Sequence, residues 1–174
     1  MDSKTLNDKL IHIKLLVMDV DGTLTNSKVY YSSKGEELKE FSIRDGMGIE
    51  LLKNAGIKTA IITTENSQIV TSRASKLKIE NIILGSRNKK KDLNDLTEKL
   101  KISLENVAYI GDDVNDIQAM EISGVAACPV DAVSSVKKKS DYICKKGGGN
   151  GAVREFIEKI IIAQNKSLLL PENW

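Results

Sequence analysis

Two aspartates directly follow an apolar run near the start of the chain. Ile13 and the segment 15–18 (Leu-Leu-Val-Met) predict a buried strand, and Asp19-Val20-Asp21-Gly22-Thr23 comes immediately after it. Carboxylates this close together repel each other and lose hydration when buried, unless a cation neutralises them. Mg²⁺ meets that need because it binds one or two carboxylates together with phosphate oxygens. The alternative is an ordinary Asp-Gly turn after a strand, and other parts of the chain must decide between the two.

Polar side chains also stand at the ends of two other apolar runs. The run 57–62 ends in Thr63-Thr64, and the run 107–110 ends in Gly111-Asp112-Asp113-Val114-Asn115-Asp116. Between them, Lys89 opens a segment with leucines at helical spacing. The carboxyl ends of parallel strands meet at one edge of an open α/β sheet, where such folds bind ligands. The pattern therefore favours a ligand site over a simple turn.

Strands alternate with helical segments along the chain, which predicts an α/β fold with a doubly wound parallel sheet. The segments 28–32 and 37–43 alternate around a Gly-containing turn and predict a β-hairpin flap at about residues 27–42. We expect one domain over residues 1–174, with a C-terminal tail at about 165–174. Helices are predicted at Asp45–Gly56, Ser67–Leu77, Lys89–Leu100, Val114–Ile122 and around Val153–Ile161, and strands at 57–63, Asn81–Leu84, Val107–Ile110, Val125–Cys128 and Tyr142–Cys144.

Composition excludes several functional classes. A net charge of +2 and 4% aromatic residues argue against a nucleic-acid-binding surface. No apolar run approaches the length of a membrane span, so we expect no membrane partner. The two cysteines, Cys128 and Cys144, lie in short apolar segments and predict reduced core thiols in a cytoplasmic protein. His12 is the single histidine and precedes the first strand, which excludes histidine-based catalysis.

The motifs DxDGT, Thr, Lys and GDDxxD, in this order, resemble those of the haloacid dehalogenase superfamily of phosphatases. A closer resemblance is to its 3-deoxy-octulosonate 8-phosphate phosphatase subfamily, which lacks a cap domain and includes nonulosonate 9-phosphate phosphatases. That match rests on Gly35–Lys39, Phe41–Gly46, Arg73, Asn106–Asp113 and Gly147–Arg154. The resemblance implies a Mg²⁺-dependent phosphomonoesterase that hydrolyses the terminal phosphate of a 2-keto-3-deoxy sugar acid.

The resemblance also implies catalytic roles. Asp19 is the expected nucleophile that forms an aspartyl-phosphate, and Asp21 is the expected general acid and base. Asp19, Asp112 and the backbone carbonyl of Asp21 are expected to hold Mg²⁺. Thr63 and Lys89 are expected to bind the phosphoryl group. Asp113 and Asp116 are expected to have auxiliary roles.

The substrate is less well determined by sequence. The expected substrate-binding set, which also includes Asp21 and Lys89, is Ser42, Ile43, Arg44, Asp45, Gly46, Thr64, Glu65 and Arg73. Arg44 suits a sugar-acid carboxylate because its guanidinium is a planar fork. Octulosonate 8-phosphate phosphatases usually carry Arg at the positions of Glu65 and Glu50, and Glu65 is associated with the nonulosonate branch. Octulosonate 8-phosphate and a nonulosonate 9-phosphate therefore both stay open.

The chain has no segment long enough for a cap domain, although a phosphoryl-transfer site must exclude water. The family resemblance implies a homotetramer in which each hairpin covers a neighbouring subunit's active site. Leu168–Leu170 and Trp174 make the tail more apolar than a free tail needs, which is consistent with packing on a subunit.

Two alternatives remain at this stage. One is a catalytically idle oligomerisation domain that partners a sugar-acid cytidylyltransferase, against which the intact acidic and lysine motifs argue. The other is a phosphotransferase, which normally needs a cap to retain its intermediate.

Overall fold

The computed structural model describes residues 3–172. These residues form an α/β fold. The helices are Ser3–Leu10 (α1), Ile43–Asn54 (α2), Gln68–Lys76 (α3), Lys89–Leu100 (α4), Ile117–Ile122 (α5), Ser134–Lys137 (α6) and Ala152–Ala163 (α7). The strands are Leu15–Met18 (β1), Thr25–Ser32 (β2), Gly35–Phe41 (β3), Lys58–Ile62 (β4), Asn81–Ile83 (β5), Val107–Ile110 (β6), Val125–Cys128 (β7) and Tyr142–Ile143 (β8).

Six of the strands form one parallel sheet in the order β5-β4-β1-β6-β7-β8. Alternate residues of β1 enter different cores: Leu16 and Met18 pack with α1, α2 and α7, whereas Leu15 and Val17 pack with α4 and α5. Both faces of the sheet are therefore covered, which explains the continuous apolar runs. The chain moves to one side of β1 through β4 and β5 and to the other through β6–β8. This confirms the doubly wound sheet and brings the carboxyl ends of β1, β4 and β6 together.

The two remaining strands form the predicted hairpin, with β2 and β3 antiparallel and irregular in register. Its second strand ends at Phe41, two residues earlier than predicted, because Ser42 is the N-cap of α2. The hydroxyl of Ser42 accepts a hydrogen bond from the backbone N–H of Asp45. The hairpin therefore leads directly into a helix.

The prediction that Asp45 begins α2 is wrong. Asp45 lies inside the first turn of α2, and its buried carboxylate accepts hydrogen bonds from the backbone N–H groups of Arg154 (2.7 Å) and Gly151 (3.2 Å). These N–H groups belong to the start of α7 and have no partner inside that helix. Asp45 therefore joins two helices that are more than 100 residues apart in the sequence.

Other boundaries also differ from the predictions. Helix α5 begins at Ile117 rather than Val114, because Asp113 and Asp116 form a turn before it. Helices α1 and α6 were not anticipated. In the tail, Leu168 and Leu170 pack against the core of their own chain, while Leu169 is exposed and Trp174 lies outside the described residues. Among residues 3–172, no helix is both long and apolar enough to cross a membrane.

Asp45→Ala is expected to destabilise the protein by about 2 kcal/mol, because it leaves two buried N–H groups without an acceptor. Asp45→Asn keeps an acceptor, and burial already raises the pKa of Asp45, so this variant is expected to lose less. Denaturant unfolding measures both. Asp95→Ala, which removes an exposed partner of Lys91, is the control and is expected to change stability little. Equal stability of all three variants would contradict the role of Asp45.

Candidate active site

Asp19 and Asp21 stand at the carboxyl end of β1, the central strand of the sheet. The backbone N–H of Asp19 donates to the carbonyl of Ile110 (3.0 Å), so the β1–β6 pairing continues up to the first aspartate. The Asp19 side chain is almost completely buried, whereas that of Asp21 is one-quarter exposed. The first carboxylate therefore lies inside the sheet edge and the second lies at its opening.

Gly22 allows the chain to turn closely around Asp112. Its φ of +97° lies in the left-handed region, and a Cβ at this position would come within 1.9 Å of Asp112 Oδ2. The hydroxyl of Thr23 donates to Asp112 Oδ1 at 3.3 Å. The loops after β1 and β6 therefore meet, and both bring carboxylates to the same place.

Lys89 lies between two of these carboxylates. It is the first residue of α4, where Asn88 caps the helix by accepting from the N–H of Lys91. Its Nζ lies 2.6 Å from Asp19 Oδ1 and 2.6 Å from Asp116 Oδ1, and its side chain is 2% exposed. The ammonium group thus connects Asp19, at the end of β1, to Asp116, in the loop before α5.

Asp116 is fully buried, and both of its oxygens already have protein donors. Oδ1 accepts from Lys89 and from the hydroxyl of Tyr109 (2.8 Å), while Oδ2 accepts from the N–H of Asp112 (3.0 Å). Asp116 therefore orients Lys89 and the Asp112 loop, which gives structural content to the expected auxiliary role.

The carboxylates outnumber the cations in this cluster. Asp19, Asp112 and Asp116 have ligand oxygens within 4.8 Å of one another, so with Lys89 the ionised cluster carries two excess negative charges. Burial and Asp116 raise the pKa of Asp19, and the same two causes raise the pKa of Asp112 to about 7. Burial would lower the pKa of Lys89, but the adjacent Asp19 and Asp116 raise it. A divalent cation would neutralise the excess charge.

The donor set fits a hard cation such as Mg²⁺, which prefers oxygen ligands. Lys89 contacts one oxygen of Asp19 and Thr23 contacts one oxygen of Asp112, so each carboxylate retains a second oxygen. The geometric cluster contains Asp116, whereas the expected ligand set contains the backbone carbonyl of Asp21. The saturated hydrogen bonding of Asp116 makes it the weaker candidate ligand.

Thr63 lies at the carboxyl end of β4, on the other side of β1. It is buried, and its hydroxyl oxygen accepts a hydrogen bond from the backbone N–H of Glu65 at 3.3 Å. The hydroxyl proton therefore remains available to another acceptor. Thr64 is half-buried and Glu65 is exposed, so the segment moves outward from the sheet edge.

The expected substrate-binding segment 42–46 divides into two parts. Ser42, Asp45 and Gly46 build the start of α2, whereas Ile43 and Arg44 are exposed. Arg44 lines an open groove together with Lys145, Lys146 and Arg154, among other residues. Only the exposed part of the segment can meet a ligand without rearrangement of α2.

Arg73 supports the base of the hairpin. Its Nη2 donates to the carbonyl of Ser42 at 3.0 Å, and its guanidinium lies 5.5 Å from the ring centroid of Phe41. No ion pair between Arg73 and Glu65 is found among residues 3–172, and the contacts of Arg73 are with the end of the hairpin and the start of α2.

Lys39 of the hairpin also enters the site. Its side chain is 1% exposed, and its Nζ lies 2.5 Å from Asp21 Oδ1 and 2.8 Å from Glu36 Oε1. Burial would lower the pKa of Lys39, but its hydrogen bonds to these two carboxylates raise it.

The glycine-rich segment 147–151 packs on the back of the Asp21 loop. The N–H of Gly149 donates to the carbonyl of Thr23 at 3.0 Å. A Cβ on Gly148 would lie 1.8 Å from the carbonyl oxygen of Gly22, so a larger residue would displace that loop. The segment therefore supports the DxDGT loop from behind.

Comparison with known proteins identifies the family. Residues 49–157 match the model of the haloacid dehalogenase-like hydrolases. The 3-deoxy-D-manno-octulosonate 8-phosphate phosphatase KdsC of Escherichia coli K12 is 41% identical over 158 residues, covering 91% of this chain and 84% of the relative. The Haemophilus influenzae KdsC is 37% identical and covers 93% of this chain and 90% of the relative. The chain belongs to the haloacid dehalogenase-like hydrolase family.

Solved structures agree with this assignment to the haloacid dehalogenase-like hydrolases. The octulosonate 8-phosphate phosphatase of Moraxella catarrhalis, solved with magnesium, phosphate and KDO, has a TM-score of 0.91 and 44% identity, covering 94% of each chain. The cobalt-bound phosphatase of Haemophilus influenzae has a TM-score of 0.89 and 38% identity, covering 91% of this chain and 93% of the other. The resemblance predicted from the motifs is confirmed, and so is the α/β fold.

Sequence reasoning about this hydrolase missed Lys39 and Tyr109. The alternation of β3 contains a signal for Lys39: it shares a face with Phe41, which packs on the core, while Leu38 on the other face is exposed. Tyr109 lies in a buried strand. Its hydroxyl group is therefore buried too and needs a hydrogen-bond partner inside the protein. The identity of that partner, Asp116, depends on the turn that follows β6.

Proposed function

We propose that this hydrolase is a Mg²⁺-dependent phosphatase that removes the terminal phosphate of 3-deoxy-D-manno-octulosonate 8-phosphate. The observation that carries the proposal is the buried cluster of Asp19, Asp112, Asp116 and Lys89 at the central edge of the sheet. The names of the relatives support the substrate class, because all those described above are octulosonate 8-phosphate phosphatases.

Asp19 is proposed as the nucleophile. Lys89 holds its Oδ1, and this oxygen is proposed to attack phosphorus in line, which leaves the second oxygen of Asp19 to hold Mg²⁺. The new Asp19–phosphorus bond forms as the bond from phosphorus to the sugar oxygen breaks, and Asp21 protonates that oxygen. Water then attacks phosphorus, Asp21 accepts a proton from the water, and phosphate leaves as the Asp19 carboxylate is restored.

The remaining groups stabilise charge on the phosphoryl oxygens. Asp19, Asp112 and the backbone carbonyl of Asp21 would hold Mg²⁺, which supplies positive charge against those oxygens. Thr63 can donate its hydroxyl proton because its oxygen already accepts from Glu65 N–H. Lys89 contributes a buried ammonium beside the attacking carboxylate.

The sugar acid is proposed to bind at the mouth formed by the hairpin, α2 and the segment after Thr63. Arg44 is exposed and suits the sugar carboxylate, while Arg73 holds the Ser42 backbone that precedes it. The glutamate at position 65 favours a second candidate substrate, a nonulosonate 9-phosphate. Its exposed carboxylate can accept hydrogen bonds from sugar hydroxyl groups.

The protein is proposed to form a homotetramer with shared active sites. The hairpin and the start of α2 expose several large side chains that a second subunit could cover: Tyr30, Tyr31, Leu38 and Ile43. The proposed location is the cytoplasm, in keeping with Cys128 and Cys144, which are buried free thiols.

Asp19→Asn is expected to lower phosphate release from octulosonate 8-phosphate by at least about 1,000-fold, because the amide is no nucleophile. A chelator is expected to abolish the activity of the unaltered protein, and added Mg²⁺ to restore it. Phosphate release and thermal unfolding are measured together to show that the fold survives. Asp95→Asn, on the exposed side of the helix that carries Lys89, is the control. Full activity in the chelator or in Asp19→Asn contradicts the mechanism.

The tetramer is tested by light scattering at the assay concentration. The mass is expected to be four times the 19.1 kDa of one chain. Leu38→Lys places a charge on the exposed hairpin surface, so this variant is expected to form smaller, inactive species. Ile162→Lys, an equally exposed position on α7, is the control. An unaltered protein that is monomeric and active contradicts shared active sites.

Glu65→Arg is expected to shift relative kcat/KM from nonulosonate 9-phosphate towards octulosonate 8-phosphate by about 1–3 kcal/mol, the value of a hydrogen bond to a charged group. The measurement is kcat/KM for both substrates. Glu80→Arg, beside the amino end of β5 and away from the site, controls for the change in charge. If Glu65→Ala alters neither value, Glu65 is only a surface charge.

A further inference from the structure

Lys39 is a buried cation on a hairpin whose other two lysines are exposed. Its side chain is 1% exposed, whereas Lys28 and Lys34 of the same hairpin are exposed. Burying a lysine costs free energy unless it is paired, and Lys39 is paired twice, with Asp21 and Glu36. The hairpin therefore gains a charged contact with the DxDGT loop of its own chain.

The same contact reaches the loop after β4. Glu36 Oε2 accepts a hydrogen bond from the hydroxyl of Ser67, the residue before α3. Asp21, Lys39, Glu36 and Ser67 thus form one continuous chain of contacts, which we call the flap clamp. It connects the loop after β1 to the loop after β4 through the hairpin, without any second subunit.

The flap clamp acts unequally on the two oxygens of Asp21. Oδ1 is held by Lys39, whereas Oδ2 is buried and has no hydrogen-bond partner among residues 3–172. A buried polar atom without a partner is costly and points to a ligand that completes it. Under the proposed function, the group missing from Oδ2 is the leaving oxygen of the substrate, and later the attacking water.

We propose that Lys39 is a positioning residue for the general acid, and that it acts by holding Asp21 Oδ1 so that Oδ2 faces the leaving oxygen. This inference rests on the proposed phosphatase function. The contact fixes the direction of the Asp21 carboxyl group, because a buried ammonium holds one of its two oxygens at 2.5 Å. The hairpin therefore has a role within its own active site as well as any role in covering a neighbour.

The test uses leaving groups with different needs for a proton. A sugar alkoxide must be protonated as it leaves, whereas p-nitrophenolate leaves without a proton. Lys39→Met keeps the length of the side chain but removes the charge. It is expected to lower the single-turnover rate of leaving-group release from the sugar-acid phosphate about 30-fold or more, and that from p-nitrophenyl phosphate by less than about 3-fold. Single turnover isolates this step from the later attack of water, for which both esters need Asp21 equally. Lys39→Arg is expected to recover most of the loss, and Lys28→Met is the matched control.

Equal losses of this single-turnover rate on both esters would overturn the proposal, since they would show that Lys39 acts on the metal, the nucleophile or the fold. No loss on either ester would overturn it too. Unchanged KM for p-nitrophenyl phosphate in Lys39→Met is expected, because the phosphate-binding groups are untouched.

Failure of the proposed function has a different signature. If the unaltered protein cleaves p-nitrophenyl phosphate but not the sugar-acid phosphates, the substrate assignment fails, and the comparison is made with the best alkyl phosphate instead. If the protein cleaves no phosphate ester, a double-mutant cycle on thermal unfolding tests the pair. Lys39→Met and Asp21→Asn are expected to be non-additive, and additive Tm changes would overturn the flap clamp.

Discussion

The site depends on one interaction, the contact of Lys89 with Asp19 and Asp116. The ammonium and both carboxylates are buried, and removal of one partner from such a group typically costs about 3–5 kcal/mol. Through this lysine, α4 is connected to the end of β1 and to the turn after β6. This turn also fixes the position of Asp112, because the Asp116 carboxylate accepts a hydrogen bond from the backbone N–H of Asp112. One cation therefore organises three segments of the chain, yet leaves negative charge for a metal ion to neutralise.

Two further contacts hold the DxDGT loop against this cluster. In the glycine-rich segment, Gly149 donates its backbone N–H to the carbonyl of Thr23 in this loop. In the flap clamp, Lys39 contacts the carboxylate of Asp21. The site thus obtains part of its closure from the hairpin of its own chain, and residues 3–172 contain no separate cap domain. The proposed tetramer would add coverage from outside, and the two contributions can be separated, since the clamp involves residues of a single chain.

Much of the fold and of the central site could be predicted from sequence. The bounds of α4, β6 and β7 agree with the predictions, because apolar spacing and strong end signals determine them locally. Asp45 was predicted to begin α2, whereas its carboxylate accepts hydrogen bonds from the start of α7; the sequence did not show this because Gly151 and Arg154 are distant from Asp45 along the chain. The start of α5 was placed too early because the turn before it is held by the Asp116 carboxylate, which bonds to Tyr109 of β6 and to the distant Lys89 of α4. The pairing of Arg73 with Ser42 was missed for the same reason.

The sequence alone determined the order of the motifs, the parallel sheet and the edge at which the acids and the lysine meet. These follow from local patterns: apolar runs that end in charges, and helices that separate them. The tertiary structure decided which oxygen each donor occupies, which face of the hairpin is inward, and that Asp21 keeps one buried oxygen without a protein partner. Such choices depend on distances between segments far apart in the chain, and a one-dimensional pattern contains no information on those distances.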